Sequence, residues 1–161
     1  MVHIHNKVQA RAEDLPRGVI RGGKAEIMDL VHGRLPGVRS IRYHDVTRDE
    51  ATKMKAALGE DVGIDLEGFH HCVDESSINH ARNSHGIPKE FLRGQSPITD
   101  QDFQYIPEIV THPDSISYAG ESGIGLPVIR YEKRIGEKYY YLEEIRTGRH
   151  ELVAKTLWKV P

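Results

Sequence analysis

A chain of 161 residues has the length of one ordinary domain and enough material for a real core. With 38% hydrophobic and 29% charged residues it reads as a soluble globular protein, which excludes a disordered tail, and no apolar run approaches the roughly 20 residues that span a bilayer. A formal charge of −2, from 22 basic and 24 acidic residues, excludes a bulk polyanion binder, so any nucleic-acid site must be a local patch.

Residues 1–45 read as an irregular N-terminal extension with a short helix, ahead of a domain at 46–161. The first 18 residues hold no apolar stretch suited to a signal peptide. "GGKAEIMDLVHGRLPG" carries Ile27, Met28, Leu30 and Val31 at helical positions and a stop at Gly33, and Pro36 and Gly37 then break the chain. "VRSIRYHDV" has the weak alternation of a short strand. A firmer helix follows Thr47, because Glu50 three residues later completes a capping box, Ala51, Met54, Ala57 and Leu58 form an apolar stripe, and Gly59 suits the residue after the helix.

"VGIDLEGFHHCV" reads as an extended link. It contains Cys72, the only cysteine, so an internal disulfide and a cysteine-based zinc cage are excluded and a reducing compartment is the default. A helix over 75–85 is predicted next, capped by Asp74 and ended by Gly86. Pro88 opens a short helical turn through "KEFL". Thr99 caps a further helix, broken by Pro107 and finished before Pro113.

The character then changes. "LPVIRYEKR", "EKYYYLEEIR" and "HELVAKTLWKV" are β-rich runs separated by turns with Gly136 and Gly148, and "SISYA" can join them as a fourth strand. The expected fold is therefore α+β, with N-terminal helices packed on a C-terminal antiparallel sheet of three to four strands. Residues 130–159 hold eight basic and five acidic side chains, a net +3 inside a chain of −2. A phosphate-bearing ligand belongs on that half.

In "LVAKTLWK", regular alternation puts Leu152, Ala154, Thr156 and Trp158 on one face. Thr156 is then either a plain strand residue or a hydroxyl for a phosphate. Glu143 and Glu144 must point to opposite faces, and either is a salt-bridge partner or a carboxylate that orients or deprotonates something. The ten histidines are scattered, with no compact metal signature. His80 and His85 stand about 140° apart on an ideal helix, poor geometry for two ligands of one ion. A metal-dependent hydrolase rests only on histidine number. Two imidazoles, a hydroxyl and nearby cations do suffice for metal-free RNA cleavage by internal attack.

The ordered strings "IDLEGFHHCVDESSINHARNSHG", "FLRGQSPITDQDFQYIPEIVTHPDSI" and "IRYEKRIGEKYYYLEEIRTGRHELVAKTLWK" resemble phage-type members of the barnase/EndoU/colicin/RelE-like (BECR) nuclease family, over roughly residues 60–160. The resemblance implies a metal-independent endoribonuclease that leaves a 2′,3′-cyclic phosphate, in a toxin or phage effector setting and without a cofactor. It carries catalytic roles onto His80, His85, Thr156, Lys155 and Glu144, and the basic excess of the strand half adds Arg130 and Arg146 as expected substrate-binding residues. It further implies RNA as the partner, tRNA among the candidates, an inhibitor or immunity protein, no membrane, and action in the cytosol of a host or target cell after delivery with a phage particle. The rival expectation is a catalytically inactive phage or mobile-element binding module with the same fold.

Overall fold

The computed structural model describes residues 15–86 and 94–161. In chain order it contains β1 (Val19–Arg21), α1 (Lys24–Val31), β2 (Ser40–Asp45), α2 (Arg48–Leu58), β3 (His70–Asp74), α3 (Glu75–His85), α4 (Ile106–Thr111), β4 (Ser115–Glu121), β5 (Pro127–Ile135), β6 (Glu137–Arg146) and β7 (Glu151–Val160). The turn expected after Pro88 lies outside the described residues. The α+β class stands, but the expected arrangement is corrected in two ways. The sheet has seven strands in the order β1-β2-β3-β7-β6-β5-β4, with β1–β2 and β3–β7 parallel. The first helices alternate with β1, β2 and β3 and do not precede the sheet as a block.

The miss has a physical cause in β3. This strand sits inside the sheet with His71, Cys72 and Val73 all buried, so it lacks the alternation that marks a half-exposed strand. β1, α1 and β2 join the same sheet and core as the later residues: Ile27, Leu30 and Val31 of α1 and Ile41 of β2 are buried in the single apolar cluster. Burying a side chain of that size stabilises by about 1.5–3 kcal/mol.

The helices start where their caps dictate. Thr47 and Glu50 exchange the two bonds of the capping box ahead of α2. Asp74, the last residue of β3, accepts from the Ser77 amide at 2.8 Å, so α3 begins with no intervening loop. Pro107 opens α4 after a 3-10 segment at Asp100–Tyr105, where the sequence suggested a break.

One buried polar knot ties the two halves of the sheet. Glu143 of β6 accepts from or shares a proton with His71 Nδ1 at 2.7 Å, across the intervening β7, and takes a longer bond from the Tyr43 hydroxyl at 3.3 Å. Both His71 and Glu143 are fully enclosed. His44 is likewise paired with Glu50 and His70 with Asp45. Three of the ten histidines are therefore held in carboxylate pairs within the fold.

Candidate active site

The direct β3–α3 junction fixes the helix over β7 and aims one of its faces at the sheet. Ser76, Ser77 and His80 lie within one helical turn of each other and line a cleft of about 340 Å³. Glu144 and Arg146, two residues apart on β6, form part of the opposite wall, and Ala154, Lys155 and Thr156 of β7 form the floor. Ser122, Gly123 and Ile124, from the β4–β5 hairpin, make the rim, where the Ile124 side chain is 75% exposed.

The floor is shaped by a β-bulge. Leu142 pairs with Thr156 and its neighbour Glu143 pairs with Ala154, so Lys155 is the extra residue of β7. Cross-strand partners share a face, and adjacent β6 residues point to opposite faces. Ala154 and Thr156, expected on one face, are thereby separated. Thr156 lies in a row with Leu142 and Arg130, and Trp158 in a row with Tyr140 and Glu132.

Thr156 is buried, yet its Oγ1 has no hydrogen-bond partner. Leaving such a hydroxyl unpaired costs about 1–3 kcal/mol. Lys155 beside it makes no ion pair among the described residues, although it lines the same cleft. An orphaned hydroxyl and an ammonium without a close ion pair, facing one space, suit an anionic ligand that would satisfy both.

Glu144 is almost fully buried and accepts from Arg146 Nε at 2.8 Å. Burial alone would raise its pKa, but hydrogen bonds from Ser122 and Arg146 and the positive charge of Arg146 and Lys155 win and hold it below the usual carboxylate value. It is therefore ionised at neutrality and serves to orient Arg146, whose side chain remains partly exposed.

His80, Thr156, Lys155, Glu144 and Arg146 thus share one cleft. Two other residues singled out from the sequence lie outside its lining. His85 stands at the end of α3, with its ring centroid 6.4 Å from that of His80 and 5.7 Å from that of Trp158. Arg130 pairs with Glu132 at 2.9 Å and lies over the Tyr140 ring, which in turn stacks on Trp158. Sequence reasoning missed Asp74, Ser77 and Ser122. Only Asp74 left a signal, as a predicted cap.

Cys72 is no competing nucleophile, because burial pushes its thiol pKa far up. Among the described residues, no three His, Cys, Asp or Glu side chains are grouped to hold a metal ion. No helix among the described residues is long and apolar enough to cross a membrane.

A family model described as phage-Barnase-EndoU-ColicinE5/D-RelE like nuclease3 matches residues 49–161, from the first turn of α2 to the end of β7. No curated protein and no solved structure gives a significant match.

Proposed function

This chain belongs to the phage-Barnase-EndoU-ColicinE5/D-RelE like nuclease family, and from that premise we propose that it is a metal-independent endoribonuclease acting as a toxin or phage effector. The observation that carries this reading is the buried, unpartnered Thr156 hydroxyl beside Lys155 in the cleft lined by His80.

In this reading the scissile phosphate sits over the bulge. Thr156 donates to a non-bridging oxygen, and Lys155 and Arg146 offset the charge that builds on phosphorus. The ribose 2′-oxygen bonds to phosphorus as the bond to the 5′-oxygen breaks. One imidazole removes the 2′-proton and another protonates the departing 5′-oxygen, and His80 with His85 supply these two groups. The products are a 2′,3′-cyclic phosphate and a 5′-hydroxyl. Glu144 acts through Arg146 and is a positioning residue. Arg130 binds substrate beyond the cleft, on the same face as Thr156.

A substrate with one ribonucleotide in an otherwise 2′-deoxy strand tests this chemistry. Cleavage at that ribonucleotide alone is expected, and cleavage at the deoxy positions contradicts internal attack.

One observation favours a second reading. Among the described residues the cleft lining contains one imidazole, that of His80, and His85 lies outside it with its ring against Trp158. A binding module with the same fold would keep Thr156 and Lys155 as a phosphate clasp and lack the second proton carrier. It binds RNA in a salt-sensitive way and forms no product. An active enzyme in its host's cytosol further calls for an inhibitor protein.

A further inference from the structure

The cleft does not end at Arg146. Asp74 and Arg146 also line a second recess of about 160 Å³, bounded by Arg39, Arg149 and Glu151. Three arginines therefore line this recess beside the candidate active site. One of them, Arg39, comes from the segment before β2, outside the residues the family model matches.

The carboxylates of this recess have close partners outside it. Glu151 is buried and takes bonds at 2.9 and 3.3 Å from the buried Arg42 beneath it. Arg149 reaches the same carboxylate only at 3.7 Å and stays more than half exposed. Asp74 accepts from the Ser77 amide as the cap of α3. Arg39 donates to the Arg17 carbonyl at 3.1 Å and makes no ion pair with a carboxylate among the described residues. Arg146 uses its Nε on Glu144, which leaves its terminal nitrogens for another acceptor. With Arg42 already offsetting Glu151, the exposed guanidinium groups outweigh the carboxylates they face. A planar fork of N–H donors matches a phosphate in two-point geometry, which a lysine cannot do.

We propose that Arg39, Arg146 and Arg149 form a second phosphate subsite, which holds a phosphodiester next to the scissile one in a single RNA strand. The inference rests on the ribonuclease reading for the identity of the strand. It adds that the substrate groove is completed by residues before the family-matched segment, so the enzyme prefers an oligonucleotide to a dinucleotide.

Two measurements separate the inference from that reading. The first is binding of an all-2′-deoxy octanucleotide, which cannot be cleaved by internal attack, to the intact protein and to Arg39→Gln and Arg149→Gln. Each variant is expected to weaken binding at least tenfold and to lower the salt slope by roughly one unit. Unchanged affinity and slope in both variants overturn the subsite. The second is kcat/KM on a dinucleotide and on octanucleotides extended to the 5′ or the 3′ side of a single ribose. The ratio of octanucleotide to dinucleotide is expected to fall at least tenfold for one direction of extension, and the responding direction gives the polarity of the strand. An unchanged ratio in both directions also overturns the subsite. Absence of any cleavage by the unaltered protein contradicts the ribonuclease reading, and the subsite then stands or falls on the binding measurement alone.

Discussion

The imidazole of His85 packs against the indole of Trp158, with ring centroids 5.7 Å apart and planes tilted by 31°. Trp158 in turn stacks on Tyr140, whose other neighbours are the cations of Arg130 and Lys138. His85 is thus held at the end of a cross-strand stack, with its ring 6.4 Å from that of His80. If it carries a proton, its position depends on that stack. His80→Ala and His85→Ala should each lower kcat by about 10²–10⁴-fold. Trp158→Ala, which removes the indole packed on that ring, should lose between tenfold and about 10²-fold, and Trp158→Phe should recover most of that. A His85→Ala variant with full activity assigns the second proton carrier to another group.

Thr156→Val separates function from stability. The change keeps the side-chain shape and removes a buried hydroxyl that has no partner. Thermal unfolding should show no loss of stability, because no internal hydrogen bond is broken and an unsatisfied group is gone. RNA cleavage should fall by about 10²–10³-fold, the usual loss when one donor to a developing oxyanion is removed. Lower stability with unimpaired cleavage would make Thr156 a packing residue.

How much of this could be read along the chain depends on the range of the forces involved. The caps of α2 and α3 were legible, since Thr47 with Glu50 and Asp74 with Ser77 act within four residues. The β4–β7 meander was legible from its turns and alternation. β3 was not, because burial on both faces erases alternation. The bulge at Lys155 was also hidden, because "LVAKTLWK" alternates regularly and its register is set by pairing with β6. For the site, His80, Thr156, Lys155 and Glu144 were picked by motif and Arg146 by the basic excess of the strand half, and these five line one cleft. Arg39 was passed over with the weakly patterned first 45 residues, although the sheet carries it to the same groove.

The knot at Glu143 should dominate stability. His71→Leu removes the main partner of a fully buried carboxylate and leaves the weaker Tyr43 contact. A loss of about 3–5 kcal/mol is expected, because the remaining charge is uncompensated. Chemical denaturation reads it as a drop in midpoint. His71→Leu combined with Glu143→Leu should recover part of the loss, since the apolar pair leaves no buried charge. A double variant as unstable as the sum of the single variants contradicts this role for the pair.

Acid should unfold the protein through carboxylates the fold keeps ionised. Burial raises the pKa of Asp45, Glu50 and Glu144, yet in each case hydrogen bonds and cations prevail and the value is lowered from 3.8 for Asp45 and 4.5 for the two glutamates. A depressed folded value means that the unfolded chain binds more protons in that range. The contribution is fully present above about pH 5, and it is lost as pH falls through the depressed folded values. The melting temperature attributable to these groups should be level above that point and fall below it. Glu144→Gln should flatten part of the acid limb, and an acid limb identical to that of the parent would remove Glu144 from the explanation.

The most direct test of the central claim is the chemistry of the cut ends. Purified protein is incubated in EDTA with a defined RNA, in parallel with Thr156→Val, and the products are analysed for their termini. Internal attack predicts 2′,3′-cyclic phosphate and 5′-hydroxyl ends with the parent protein and about 10²–10³-fold less of both with the variant. Intact RNA at high protein concentration, or products with 5′-phosphate and 3′-hydroxyl ends, would contradict it.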